Sequence, residues 1–165
     1  FKKILMYVPL ILLFTSVMNE FDFNYLNYKY FSFNFPFILI YYWSLKRSES
    51  LGYGYIFIAG LFNDVTIGFP IGVSGLTYLL ISGFAAYLRN ITLRPNLFND
   101  WMFFLFTILF VTSINYFLLI SIFSIEMNYY ELVGNIFFTF IFYYIFAYLF
   151  DVYQKLIFKG NKNVG

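Results

Sequence analysis

Apolar residues come in six blocks along the chain: Ile4–Met18, Phe31–Leu45, Leu51–Ile67, Ile71–Leu88, Trp101–Ile125 and Leu132–Phe150. Crossing the roughly 30 Å hydrocarbon core of a bilayer takes about 20 residues of helix, somewhat fewer with interfacial flanks. In lipid the backbone must satisfy its own hydrogen bonds, so blocks of this length are expected as helices. A transmembrane β-barrel needs alternating segments of about ten residues. Only Phe21–Phe35 hints at that, with Phe21, Phe23, Tyr25 and then Phe31, Phe33 and Phe35 in alternate places. Next to a long apolar block it reads instead as an aromatic interfacial stretch. The pattern predicts an all-α integral membrane protein, six transmembrane helices in a single bundle over residues 1–165.

The polar positions between the blocks test this map independently. Lys2 and Lys3 precede the first block, Lys46 and Arg47 follow the second, Arg89 and Arg94 follow the fourth, and Lys155, Lys159 and Lys162 follow the sixth. Nine of the ten basic residues thus fall on one side of a six-span layout, and only Lys29 falls on the other. Both termini are then cytoplasmic, because basic loops stay inside. Lys2-Lys3 before Ile4–Met18 has the outline of a signal peptide. However, Ser16-Val17-Met18-Asn19 offers no small-x-small cleavage site, so the stretch is expected as a retained first span.

Composition narrows the chemistry. The chain is 62% hydrophobic and 11% charged, too little charge to clothe a water-soluble domain of 165 residues. Cysteine and histidine are absent, which removes disulfides, thiol nucleophiles, Cys/His metal sites and the usual proton shuttle. A net charge of +2 gives no basic face for nucleic acid. Gly52-x-Gly54 lacks the rest of a nucleotide-binding fingerprint, and no phosphate-loop lysine, nucleophile elbow or zinc-protease motif occurs. The chain is therefore expected to have no catalytic residues, metal or cofactor, and not to be an enzyme. Aromatic residues reach 27%; most are expected as packing or lipid-facing bulk, with Tyr41-Tyr42-Trp43 and Trp101 in interfacial belts. Pro9 and Pro36, inside blocks, are expected to kink them. Asn115 and Asn135 are expected as interhelical hydrogen-bond glue.

One segment departs from this uniformity. Seven of the ten glycines lie between Gly52 and Gly83. Gly52, Ile56, Gly60, Asp64 and Gly68 recur every fourth residue and share a helical face. Gly72, Gly75, Leu79, Ser82 and Ala86 form a second, mostly small stripe on the next block. Small residues let helix backbones approach closely where water cannot drive packing, and only Gly68-Phe69-Pro70 joins the two blocks. A tight helical hairpin is predicted. Asp64 is the one ionisable residue inside a block, about one turn, roughly 5 Å, from the outer end of its helix. A charge in a membrane span needs a partner, and no Lys, Arg or His lies within the spans. Tyr, Asn or Ser side chains, or free backbone N–H groups at the start of the fourth helix, could supply it. Three roles stand open: a structural clasp for the hairpin, a contact to a partner or ligand, and proton or ion coupling.

Pro36, Tyr42-Trp43, Gly54 and the string Gly60-Leu61-x-x-Asp64-x-x-x-Gly68-x-Pro70-x-Gly72, followed by a run to Tyr87-Leu88-Arg89, resemble the core pattern of the bacterial rod-shape-determining MreD family. The resemblance covers residues 36–90. It implies a non-enzymatic, multi-pass subunit of the cell-elongation complex in the inner (cytoplasmic) membrane. It also implies a direct partner, MreC, and through it the MreB filament, the transpeptidase PBP2 and the glycosyltransferase RodA in peptidoglycan synthesis. Gly60, Asp64, Gly68, Pro70 and Gly72 of that string, with Gly75 of the small-residue stripe, are the structural or partner-binding residues expected. The family is similar in fold to the substrate-binding membrane subunits of energy-coupling-factor (ECF) vitamin transporters, which gives the alternative: a vitamin-binding transport subunit.

Overall fold

Glycine, proline and asparagine set where helices begin and end in this chain. The computed structural model describes residues 7–18, 32–46, 50–92 and 96–158. Among them are six α-helices and no strand: α1 (Val8–Met18), α2 (Phe35–Lys46), α3 (Tyr53–Ile67), α4 (Val73–Ile91), α5 (Leu97–Ser121) and α6 (Tyr129–Phe158). The aromatic stretch at 21–31, Lys2, Lys3 and Lys29 lie outside the described residues. Each predicted block corresponds to one helix. Two of the helices, α5 and α6, are long and apolar enough to cross a membrane by length and composition.

The boundaries correct three expectations. Pro9 and Pro36 each occupy the second position of their helix. There a missing N–H costs nothing and the fixed φ suits the first turn, so they start helices rather than kink them. α5 begins before Trp101: Asn96 caps it by accepting from the Phe98 N–H at 3.2 Å, and Asp100 falls in its first turn, where a carboxylate suits the helix dipole. α6 runs on to Phe158, carrying Asp151 within it. Asp64 is therefore not the only acidic residue inside a helix.

A helix that is apolar all round belongs in the interior, and α2 is that helix. Every residue from Ile38 to Leu45 is buried. It packs on α1, α4 and α6, while α4 also packs on α3 and α5, and α5 closes the circuit on α6. Tyr41 and Tyr42 are 0% exposed and Trp43 only 3%. They are core residues, not an interfacial belt, because α2 is enclosed on every side. Tyr41 meets the stacked pair Phe104–Tyr143, whose rings lie 4.2 Å apart. Trp101 lies parallel on Phe140 at 4.5 Å and donates its indole N–H to the Phe140 carbonyl at 2.8 Å. On the outer faces of α5 and α6, Phe106, Phe117, Phe137 and Tyr148 are exposed, as lipid contact requires.

Polar side chains gather at the two ends of the bundle. At one end, Lys46 of α2 pairs with Asp100 of α5 at 2.7 Å, and Asp100 is buried. Arg89 of α4 donates to the Ser44 carbonyl at 3.1 Å, Ser44 and Ser82 share a hydrogen bond of 2.8 Å, and Tyr42 donates to Asp151. At the opposite end, Asn135 of α6 donates to Ser32 at 3.0 Å, in the segment before α2 rather than on another helix. The Thr139 hydroxyl accepts from the Asn34 N–H at 2.8 Å. Asn34 in turn accepts from the Phe37 N–H at 3.3 Å, so α2 is tied to α6 at its first turn. Replacing Thr139 with valine keeps the shape and orphans that N–H. We expect a loss of about 1 kcal/mol, read as a lowered thermal midpoint of the detergent-purified protein.

Candidate functional site

The hairpin predicted between the third and fourth blocks is the α3–α4 pair, the most extensive helix contact in the molecule. Ile56, Gly60 and Asp64 form the buried face of α3, as their four-residue spacing implies. Gly52 and Gly68, at the two ends of that stripe, are exposed caps rather than packing residues. On α4, Gly75 and Ser82 are buried while Leu79 and Ala86 are half-buried; Ala85 takes the deeper place. The helices touch backbone to backbone. A Cβ built on Gly60 would sit 2.8 Å from the Ser74 carbonyl carbon and closer still to the Gly75 backbone. A Cβ on Gly75 would instead meet the Phe57 ring at 2.9 Å.

Asp64 closes the turn between them from both sides. Its main-chain carbonyl accepts from the N–H groups of Gly68 and Phe69, each at 2.9 Å, which ends α3. Gly68 carries the left-handed conformation that such a helix end needs, at φ +77°, a place glycine takes without steric cost. The Asp64 side chain then starts α4. Oδ2 accepts from the Gly72 N–H at 2.7 Å and Oδ1 from the Ser74 N–H at 2.9 Å. The first N–H groups of a helix have no partner of their own, and the dipole favours an acidic group there. Of the donors anticipated from sequence, backbone N–H groups are the ones used. Asp64 is 0% exposed, so without these bonds a buried acid, the buried Ser74 N–H and the half-buried Gly72 N–H would all stand unmatched.

The remaining predicted residues join the same turn. Pro70 cannot continue α3, and its carbonyl accepts from the Val73 N–H at 3.3 Å. Gly72, at φ +104°, lets the chain turn into α4 while presenting its N–H to Asp64. The turn spans Gly68 to Gly72, two residues longer than Gly68-Phe69-Pro70. All six expected residues thus fall in one structural unit.

Two participants were not singled out from sequence. Ser74 presents its N–H to Asp64 and its hydroxyl accepts from the Asn63 amide at 3.0 Å. The signal available for it was its place two residues past Gly72, where a helix-starting acceptor reaches. At the other end of the bundle, the Lys46–Asp100 pair also escapes the sequence pattern, because Asp100 lies just before the apolar block that begins at Trp101. Asn115 was expected as glue, but its buried Oδ1 has no hydrogen-bond partner.

Chemically, this arrangement is a helix cap. Both carboxyl oxygens of Asp64 are engaged by main-chain donors, and among the described residues no group of three His, Cys, Asp or Glu side chains could hold a metal ion. No curated protein and no solved structure matches the chain. A family model described as rod shape-determining protein MreD matches residues 2–159, nearly the whole length and well beyond the glycine hairpin. The chain belongs to the MreD family of rod shape-determining proteins.

Proposed function

We propose that this protein is a multi-pass inner-membrane subunit of the cell-elongation complex, crossing the bilayer six times with its hairpin turn on the outer side. It binds the single transmembrane helix of MreC and through it connects with MreB, RodA and PBP2, helping to organise peptidoglycan synthesis without transforming a molecule itself. The observation that carries this reading is the full engagement of Asp64 by Gly72 and Ser74. The one deeply buried acid of the hairpin is spent on holding two helices in a fixed relation, which suits a frame for other proteins. The orientation is supported by Lys46, Arg89 and Lys155, which lie at the end opposite the turn, whereas Glu126 and Glu131 lie at the turn end.

The test is recovery of MreC with affinity-purified protein from membranes. Gly60→Ala, Asp64→Ala and Gly72→Ala are expected to lower that recovery at least fivefold and to round the cells, with immunoblotting to report the amount in the membrane. Normal recovery and rod shape in all three variants would show that the hairpin is not the frame for the partner. The same purified preparation tests the transport alternative: a vitamin bound at one equivalent per chain would replace the scaffold reading.

A further inference from the structure

The helices on the rim of this bundle differ in height. α5 carries Asp100 in its first turn and ends at Ser121, and α6 carries Glu131 in its first turn and Asp151 toward its far end. At a rise of about 1.5 Å per residue, each sets about 30 Å of apolar helix between polar ends, the thickness of a hydrocarbon core. α3 is shorter. Gly52 and Gly68 cap its 15 residues at both ends, which makes it about 22 Å long. Its inner end is placed by its neighbours. Gly60 lies on Gly75, so an equal number of residues along each antiparallel helix brings Tyr53 level with Ser82. Ser82 bonds Ser44 at 2.8 Å, and Ser44 stands just before the Lys46 that pairs with Asp100. α3 and α5 thus start from nearly the same level, and the hairpin turn falls about one helical turn, roughly 5 Å, below the outer end of α5.

In a bilayer of even thickness that turn would lie beneath the outer headgroups. Its side chains would tolerate this: Ile67 and Ile71 are exposed, Ile71 by 75%, and Gly68–Gly72 carries no charge. Its main chain would not. The Asp64 carbonyl takes the N–H groups of both Gly68 and Phe69, and Pro70 has no N–H to give. The carbonyls of Val65, Thr66 and Ile67 therefore receive no hydrogen bond among the described residues. All three residues are exposed, so water can serve these carbonyls and hydrocarbon cannot. Several ångströms of bilayer mismatch cost less than three unmatched carbonyls held in hydrocarbon. The balance favours drawing the headgroups down to the turn.

Resting on the membrane-spanning reading above, we propose that the outer end of the α3–α4 hairpin is a lipid-contact surface that thins the bilayer locally. Phospholipid headgroups and water descend to Ile67 and Ile71 beside it, while beside α5 and α6 the bilayer keeps its full thickness. The chain has no cysteine, so Ile67→Cys, Ile71→Cys, Phe106→Cys and Phe117→Cys can each carry a single nitroxide label in full-length protein in dioleoylphosphatidylcholine vesicles. All four side chains are exposed, so labelling leaves the packing within the bundle untouched. Phe117 stands about 25 Å above Asp100, as high as the end of α3, and Phe106 lies deeper. Collision of each label with a water-soluble nickel(II) chelate, measured against collision with oxygen, reads its depth. Nickel collision at Ile67 and Ile71 is expected to exceed that at Phe117 at least threefold, with Phe117 shielded as Phe106 is. A smaller difference, with Phe106 and Phe117 both shielded, would mean a bilayer of even thickness and overturn the proposal while leaving the spanning reading standing. Free nickel access at Phe106 and Phe117 would remove the spanning reading itself.

Discussion

Gly60→Ala is expected to destabilise the protein by about 3 kcal/mol, at the upper end of what overpacking usually costs. The reason is what the new methyl group would meet. Its neighbours are the Gly75 backbone and the Ser74 carbonyl carbon, the latter at 2.8 Å, and backbone inside a helix cannot swing aside. Relief comes only by moving α4 away from α3, which stretches both Asp64 bonds to Gly72 and Ser74. Gly75→Ala makes the matched control. Its nearest obstacle is the Phe57 ring at 2.9 Å, and Phe57 is 38% exposed with room to rotate outward. Its cost is expected to stay near 1 kcal/mol. Thermal unfolding in detergent measures both, and equal losses would mean that backbone contact at Gly60 is not what holds the pair together.

Asp64→Ala is expected to cost about 3 kcal/mol as well, through a different route. It leaves the N–H groups of Gly72 and Ser74 without an acceptor, at about 1–3 kcal/mol for the buried Ser74 donor and less for the half-buried Gly72 donor, and opens space where the carboxyl group stood. Asp64→Asn retains one carbonyl oxygen and turns an NH₂ group toward the second donor. It should restore part of the loss and sit between the wild type and the alanine variant. An asparagine variant as stable as the wild type would show that one acceptor suffices. Both effects should be local first, because α5 and α6 pack on each other through Trp101–Phe140 and Phe104–Tyr143, remote from the turn. Gly60 and Asp64 act on one contact, so their losses are expected to be less than additive.

The hairpin was legible in the sequence because membrane helices mark close approach with small residues and punish an unmatched acid. Gly60 and Asp64, four residues apart, therefore announced one buried face, and the short turn placed the free N–H groups of the next helix within reach. The ends of the glycine stripes were harder to read. Period alone cannot separate a packing glycine from one needed for a left-handed turn, which is why Gly52, Gly68 and Gly72 joined the stripes although they serve as caps. Hydropathy blocks also truncate helices whose first or last turns are polar. Asp100 and Asp151 fall just outside the apolar blocks Trp101–Ile125 and Leu132–Phe150, yet Lys46 and Tyr42 bond them inside the fold. The Asn96 cap before Asp100 was the sequence sign that α5 starts early. The burial of Tyr41, Tyr42 and Trp43 could not be read from α2 itself, because enclosure on all sides depends on where α1, α4 and α6 lie. The polar cleft at the turn end is equally hidden in the sequence, since Ser16, Asn63 and Asn135 come from three separate helices and Asn34 from the segment before α2.

Hydrogen–deuterium exchange at the amides of Gly72 and Ser74 reads the role of Asp64 most directly. In the detergent-purified protein these two amides should exchange slowly, and Asp64→Ala should release them by at least a hundredfold while the amides of α5 and α6 keep their protection. Fast exchange at both positions in the wild type, or protection that survives Asp64→Ala, would mean that the acid does not hold the two helices together.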